Sequence, residues 1–213
     1  MKLPEGEWLH RREVASTQDI ALAALKEGRE VAVVLADHQT SGRGRQSREW
    51  LSGPADSLTV SIAMTPYSDH PKPWLVGMAL ALAFAEEIGC RLQWPNDLVS
   101  GGRKLGGVLT EICACPLGQV PVIGVGVNLH QREFPPEIAQ RATSVRLEFG
   151  EAPEALDLLR GSFDRLATFP EPCSWSALED RWSQRDSTPG KPYRTAEEEG
   201  TALGIDREGA LLL

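Results

Sequence analysis

The segment Ser41-Gly42-Arg43-Gly44-Arg45-Gln46-Ser47-Arg48-Glu49-Trp50 places three guanidinium groups within six residues. Each can grip a carboxylate or a phosphate through a planar fork. Gly42 and Gly44 let the backbone approach such a ligand closely. Trp50 adds a flat face suited to stacking on a ring. An isolated Arg-x-Arg is usually a solvated surface turn. Here the interleaved glycines, the tryptophan and a net charge of −8 mark the arginines as an anion site. The segment is not a Walker A loop, because no Gly-Lys-Ser/Thr closes it and no helix-forming run follows directly.

Four further groups could join it. In Trp94-Pro95-Asn96-Asp97 the proline stops a strand and turns the chain, leaving Asn96 and Asp97 to orient a ligand or a Mg²⁺ ion through hard oxygens. Alone, Pro-Asn-Asp is an ordinary turn. Lys104 enters a strand between the glycine pairs Gly101-Gly102 and Gly106-Gly107. Those glycines strip one side of the strand, so a flat ligand can lie on the backbone, with the Lys104 ammonium placed for a carboxylate or an α-phosphate. Gly124-Val125-Gly126-Val127-Asn128-Leu129 ends a buried strand with a polar amide, and lacks the third glycine and the helix of a dinucleotide loop. Ser16 and Thr17 read as a helix N-cap. A helix N-terminus also offers unpaired N–H groups to a polar ligand, and Gln39 could donate to a ureido or amide oxygen.

The elements that must position these groups follow from pattern. Ser16 to Asp19 opens a helix over Ile20–Lys26 that ends at Gly28. Val31–Ala36 is a continuous apolar run and predicts a buried strand. Ser57–Met64 alternates and predicts a half-buried strand. Pro73–Ile88 predicts a long buried helix closed by Gly89. Arg91–Trp94 is a short strand. Leu105–Cys113 and Val120–Leu129 are two strands joined around Pro116-Leu117-Gly118. Pro153–Phe169 and Ser174–Arg185 have helical periodicity. From Lys191 onward the pattern changes: Tyr193, Thr195, Ala202, Leu203 and Ile205 are strand-like, and Asp206-Arg207-Glu208-Gly209 is a turn before Ala210–Leu213.

Composition narrows the classes. The 213 residues suffice for one substantial core and a small appended unit. The acidic balance argues against a general nucleic-acid binder. Cys90, Cys113, Cys115 and Cys173 show no metal-ligand spacing and read as free thiols in a reducing cytosol. The polar N-terminus has no signal-peptide core, and the longest apolar run, Trp74–Ala85, is too short to span a bilayer. The expected location is the cytoplasm.

In this order, Ser16-Thr17-Gln18, Gln39 to Trp50, Trp94 to Leu98, Lys104 to Glu111 and Gly124 to Leu129 resemble the catalytic domain of biotin protein ligases. The likeness implies an α+β fold, a mixed or antiparallel sheet with helices packed on it, of the class II synthetase-like type. It implies a catalytic domain over 1–187 and a shortened SH3-like β unit over 188–213. It further implies that biotin and Mg·ATP form biotinyl-adenylate, and that a lysine of a biotin carboxyl carrier protein then takes the acyl group.

Under that likeness Ser16, Thr17, Gln18, Gln39, Gly42, Arg43, Gly44, Arg45, Lys104 and Gly107 would hold biotin. Arg45, Arg48, Trp50, Asn96, Asp97 and Asn128 would hold ATP or the adenylate. Lys104, Arg43 and Arg45 would be catalytic. No side-chain set makes a metal site by itself, so Mg²⁺ would come with ATP.

The chain departs from the family in three ways. Gln93 stands where a lysine commonly precedes Trp-Pro-Asn-Asp. The catalytic motifs begin by Ser16, which leaves no room for the DNA-binding domain of bifunctional members, so no DNA partner is expected. The C-terminal β unit is short. Family members often dimerise, so a homodimer is an expectation as well. Two rival readings are a lipoate or octanoate ligase or transferase on the related fold, and a non-enzymatic biotin-binding regulator.

Overall fold

A computed structural model describes residues 1–45, 48–171, 173–194, 198–206 and 208–213. Gln46 and Ser47 of the arginine loop, Thr195 and Arg207 lie outside the described residues. The chain runs through β1 (Glu7–Val14), α1 (Thr17–Lys26), β2 (Val31–Gln39), β3 (Gly42–Arg43), β4 (Glu49–Trp50) and β5 (Ser57–Ala63). Then come α2 (Pro73–Ile88), β6 (Arg91–Gln93), β7 (Asp97–Ser100), β8 (Arg103–Cys115) and β9 (Gly118–Asn128). Three helices follow: α3 (Val145–Phe149), α4 (Ala155–Ala167) and α5 (Trp175–Arg185). The last strands are β10 (Pro192–Arg194), β11 (Glu199–Thr201), β12 (Gly204–Ile205) and β13 (Leu211–Leu212).

Seven strands form one mixed sheet in the order β1-β2-β5-β9-β8-β7-β6. Only β1 and β2 are parallel; every other neighbouring pair is antiparallel. The long apolar helix packs on one face. Pro73 sits in the first turn of α2, where a missing N–H costs nothing. Gly89 ends the helix at φ 82°, and its N–H donates to the Ala85 carbonyl at 2.9 Å. Every residue from Leu75 to Ala85 is buried. They join Leu58, Val60 and Ile62 of β5, Ile123, Val125 and Val127 of β9, and the apolar sides of α4 and α5 in one core. On the opposite face α1 covers a smaller cluster with Val34, Cys113, Val120 and Val122.

Two expectations change. Ser57–Ala63 is buried along its whole length, where alternation predicted a half-buried strand. Helices cover both faces here, so the polar residues turn inward and find partners. Thr59 Oγ1 donates to the Ala36 carbonyl at 2.7 Å, and Ser61 Oγ donates to Gln18 Oε1 at 2.8 Å. The strands β1 and β7 carry no apolar run or clean alternation to announce them. The first is an edge strand of mostly exposed residues, and the second extends the Asp97 turn into the sheet. The four cysteines are free thiols, as expected, with Cys90, Cys113 and Cys173 buried. Burial pushes the Cys90 and Cys173 thiols up to about 12, which keeps them protonated and unreactive. No helix among the described residues is long and apolar enough to cross a membrane. The strands after residue 191 make two small antiparallel pairs, β10 with β11 and β12 with β13.

Helix α2 meets β8 at Gly77, where the helix presents no side chain. A Cβ there would collide with Thr110 Oγ1, and the next atoms are 3.5 Å and 3.8 Å away. Replacement of Gly77 by Ala should cost about 1–3 kcal/mol, as overpacking does. In a Thr110→Ala background the penalty should vanish or reverse, since alanine is the better helix former by roughly 1 kcal/mol. Urea denaturation of the double-mutant cycle checks this; equal penalties in both backgrounds would refute the packing account.

Candidate active site

The face of the sheet beside α1 is bare where three glycines meet. Gly107 of β8 is the direct partner of Gly126 in β9, and Leu109 is the partner of Gly124. Residues in such positions share one face. The place where a Gly126 Cβ would sit is 2.5 Å from a ring carbon of Trp50. At Gly124 the same position is 3.0 Å from Gln18 Oε1, and at Gly107 it is 3.1 Å from Lys104 Nζ. The glycines therefore make a shelf of backbone, ringed by an indole, an amide and an ammonium.

One end of the shelf is a buried polar cluster at the start of α1. Ser16 is the N-cap residue, but its side chain makes no capping hydrogen bond. Instead the Thr17 N–H and Thr17 Oγ1 both donate to Gln39 Oε1, at 2.7 and 3.0 Å. Thr17 Oγ1 is also 2.9 Å from Ser61 Oγ, and Gln18 Nε2 donates to the Val122 carbonyl at 3.0 Å. Gln39 thus satisfies an orphan helix N–H with its oxygen, which leaves its amide nitrogen to a ligand. The Gln39 nitrogen lies 3.1 Å from where a Gly42 Cβ would be, so the helix start and the arginine loop meet there.

Lys104 stands at the other end. Its Nζ is 2.6 Å from Asp97 Oδ1. Its backbone is pinned from the side: the Lys104 N–H donates to the Arg141 carbonyl at 2.7 Å, and the Thr143 N–H donates to the Lys104 carbonyl at 2.8 Å. Glu148 anchors that clamp. It accepts from Thr143 Oγ1 at 2.6 Å and Ser100 Oγ at 2.8 Å, and it pairs with Arg103 at 2.5 Å. Burial alone would raise the Glu148 carboxyl, but these hydrogen bonds and the Arg103 charge outweigh it and hold it below its usual value.

Strand β7 pairs with β8 only as far as Gly107. Asn96 covers the next position: its carbonyl accepts from the Val108 N–H at 2.9 Å and its side-chain nitrogen donates to the Val108 carbonyl. Beyond Val108 the edge of β8 is open, and a cavity of about 980 Å³ wraps around it. Gly42, Arg43, Gly44, Arg45 and Arg48 form one wall, Asn96 another, and Trp74, Gly77 and Met78 of α2 the third. Arg43 is held by Asp19 at 2.6 Å and Glu111 at 3.3 Å, and Arg45 Nη1 donates to Asn96 Oδ1 at 3.4 Å.

The structure thus gathers Gly42 to Arg45, Arg48 and Asn96 around the cavity. Lys104, Asp97, Gly107 and Trp50 lie on the adjoining shelf, and Ser16, Thr17, Gln18 and Gln39 at its far end. Trp50 lays its ring on Gly126, and its buried Nε1 has no hydrogen-bond partner among the described residues. Asn128 lies apart from the cavity. It is buried, donates to the Thr143 carbonyl at 2.9 Å and accepts from Gln131, so it braces the Lys104 clamp rather than facing the opening. Sequence reasoning missed Asp19, Glu111, Trp74, Met78, Glu148 and Gly209. Asp19 and Glu111 stood inside quoted motifs without a role. Gly209 reaches the cavity from the far end of the chain, and no local pattern signals that.

This arrangement of a backbone shelf flanked by fixed cations suits a flat ligand that ends in a carboxylate and meets a phosphate. Residues 12–128 match the model of the biotin/lipoate A/B protein ligase family. The chain belongs to that family. It is 32% identical over 201 residues to a biotin–[acetyl-CoA-carboxylase] ligase of Paracoccus denitrificans, covering 85% of this chain and 83% of that protein. It is 29% identical to the bifunctional ligase/repressor BirA of Bacillus spizizenii, covering 92% of this chain and 68% of that one. Among solved structures, a biotin protein ligase from Aquifex aeolicus in complex with biotin and ATP superposes with a TM-score of 0.75 at 26% identity. That match covers 97% of this chain and 91% of the other.

Because the folded Glu148 carboxyl is depressed, its contribution to stability is present above the unfolded carboxylate range and is lost as pH falls through the folded value. Replacing Glu148 by Gln should therefore lower stability at pH 7 by about 1–3 kcal/mol and flatten the decline toward acid. Urea unfolding between about pH 3.5 and 7, a window bracketing ordinary carboxylate titration, measures both. A variant with the wild-type acid slope would count against Glu148 as the anchor of the Lys104 clamp.

Proposed function

We propose that this chain is an ATP-dependent biotin protein ligase, in which the glycine shelf holds biotin and the adjoining cations hold the nucleotide. The observation that carries the reading is Lys104 fixed over Gly107, between the polar cluster at Thr17 and Gln39 and the arginine-lined cavity. In the first step a biotin carboxylate oxygen attacks the α-phosphorus of ATP and pyrophosphate leaves. In the second, the neutral ε-amine of a carrier-protein lysine attacks the acyl carbon, an amide forms, AMP leaves and the amine proton is lost.

Both reacting partners of the first step are anions, so positioned positive charge does the catalytic work. Lys104 meets the carboxylate and α-phosphate oxygens where charge grows. Arg43 and Arg45 line the path between carboxylate and phosphate, and Arg48 binds on the same wall. Ser16, Thr17, Gln18 and Gln39 bind the ureido end, with Gly42, Gly44 and Gly107 allowing close approach. Trp50 offers its indole edge to the adenylate, and Asn96 and Asp97 face the phosphates.

No three acidic, histidine or cysteine groups come together among the described residues. Asn96 and Asp97 would supply hard oxygens to a Mg²⁺ ion carried by the triphosphate. Such an ion neutralises phosphate charge.

Residues 1–187 then form the catalytic domain and 188–213 a small β unit. The carrier is a biotin carboxyl carrier protein. The exposed edge strand β1 offers a second copy an unpaired row of backbone groups, and a homodimer is part of this reading. ATP use and the free thiols fit the cytoplasm.

Biotin-dependent ATP–pyrophosphate exchange, followed by mass spectrometry of a carrier domain with and without ATP, tests the function. Exchange with lipoate but not biotin would assign the related acid instead, and biotin binding without any exchange would make the chain a binding regulator. Within the ligase reading, Lys104→Ala should cut adenylate formation by about 100-fold or more, while biotin affinity changes by less than about fivefold, because the lysine acts on developing charge. Near-normal adenylation in that variant would refute the role.

A further inference from the structure

A row of side chains crosses three strands on the face that carries Lys104. Gln93 of β6 is the direct partner of Asp97 in β7, and Asp97 is the partner of Gly107 in β8. Direct partners project to the same face with Cβ atoms about 5 Å apart. Asp97 holds the Lys104 ammonium above Gly107. At the other end of the row Gln93 Oε1 accepts a hydrogen bond from Lys191 Nζ.

Lys191 comes from the C-terminal segment, and that segment is fixed to the site. The Lys191 N–H donates to the Thr188 carbonyl at 3.1 Å, and the Ala202 N–H donates to the Lys191 carbonyl at 2.9 Å. Thr188 is fully buried, and its hydroxyl accepts from the Trp94 N–H at 2.7 Å. Tyr193 OH donates to the Trp94 carbonyl at 3.0 Å. Trp94, Pro95 and Asn96, the next residues after Gln93, line the cavity.

Among the described residues no carboxylate pairs with Lys191; it is held by a neutral amide. Fixing a lysine side chain costs rotamer entropy, and an amide acceptor returns less of that than a carboxylate would. A cation immobilised this way keeps its charge available to another anion. The row itself carries two ammonium groups and one carboxylate. Strands lie about 4.8 Å apart, which puts the backbones of Gln93 and Gly107 about 10 Å apart and lets two long stems converge on one polyphosphate.

We infer that Lys191 is a further binding residue for the phosphate chain of the nucleotide, supplied by the C-terminal unit and positioned by Gln93. This rests on the ligase reading above. Lys104 serves the carboxylate and α-phosphate, and Lys191 serves the phosphates beyond it. The C-terminal segment therefore contributes a charge to the site as well as a wall.

Full-length wild type, Lys191→Ala and the pair Gln93→Lys/Lys191→Ala are compared by biotin-dependent pyrophosphate exchange, with biotin affinity measured by calorimetry without nucleotide and Tm recorded for each. Lys191→Ala should raise KM for ATP about tenfold, the loss of one charge-assisted contact, and leave the biotin Kd unchanged. The double variant should recover most of that loss, because it returns an ammonium to the same end of the row although the Gln93–Lys191 hydrogen bond is gone. An unchanged KM for ATP in Lys191→Ala overturns the inference. So does a double variant that stays impaired, or a loss that falls equally on biotin binding; these are the marks of a contact that only docks the segment. Wild type without exchange would overturn the ligase reading itself, a result separate from any of these.

Discussion

Gly107 and Gly126 face each other across β8 and β9, and everything around them depends on their lacking side chains. A methyl group at Gly126 would meet the Trp50 ring, and one at Gly107 would crowd the Lys104 ammonium. Helix α1 covers the same face only toward Cys113, Val120 and Val122. Where the glycines begin, apolar packing stops. Glycine in a strand interior gives up roughly 0.5–1 kcal/mol relative to alanine. The sheet accepts that cost because it lies between well-packed neighbours, with α2 buried from Leu75 to Ala85 on its other face. The stiff core and the bare shelf are therefore one arrangement. A shelf on a loop could not hold its edges to the precision that adjacent reacting groups need.

The charges on the rim obey a second constraint. A cation that waits in a net acidic protein will find a carboxylate, and each one here has been given a specific partner. Arg43 sits between Asp19 and Glu111, Lys104 on Asp97, and Arg45 on the neutral Asn96. These are part-exposed pairs, so each contributes little to stability. Their use is geometric. The tethers keep long side chains from wandering, and a ligand with more negative charge than one carboxylate can exchange for them at small net cost. Weak tethers suit a site that must be ordered before its ligand arrives and must still release a product. Glu148 is of a different kind. It is nearly buried, fully hydrogen-bonded and aimed at the backbone clamp of Lys104, so it fixes where the lysine begins rather than where it ends.

Most of the sheet and both long helices could be read from pattern, since Val31–Ala36, Pro73–Ile88 and the paired runs after Leu105 and Val120 each obey a simple period. The site was legible in its cations and glycines, because residue type alone implies their chemistry. Its partners were not. Nothing local in Gln39 says that its oxygen will cap α1 while its nitrogen stays free. Nothing in Ser57–Ala63 distinguishes a strand with one wet face from a strand with helices on both. Asn128 follows a glycine-rich strand and reads as a ligand group, yet Thr143 and Gln131 claim its amide. The deciding neighbours Thr17 and Thr143 are more than ten residues from Gln39 and Asn128, and the helices over Ser57–Ala63 come from other layers, so a one-dimensional pattern carries no trace of them. Gln93 shows the reverse. Its departure from the family pattern looked like a lost charge, and the fold brings a lysine to it from nearly a hundred residues downstream.

The same long-range docking shapes the apolar wall of the cavity. The Trp74 indole N–H donates to the Glu208 carbonyl, and the Trp94 indole N–H donates to the Gly209 carbonyl, both at 3.0 Å. Gly209, at φ 83°, lets the turn come close enough for its Cα to line the cavity beside the two rings. The acceptors are backbone carbonyls, so the docking depends on the path of the chain more than on which side chains it carries. That explains how strands as short as β12 and β13 can still be held in place. It also ties two properties together. Each indole has one polar atom, already satisfied by the turn, and can therefore present its apolar body to the cavity without leaving a buried N–H unpaired. If the turn were withdrawn, both N–H groups would be left facing the site and the wall would become polar. The C-terminal unit is thus part of what makes that side of the cavity apolar.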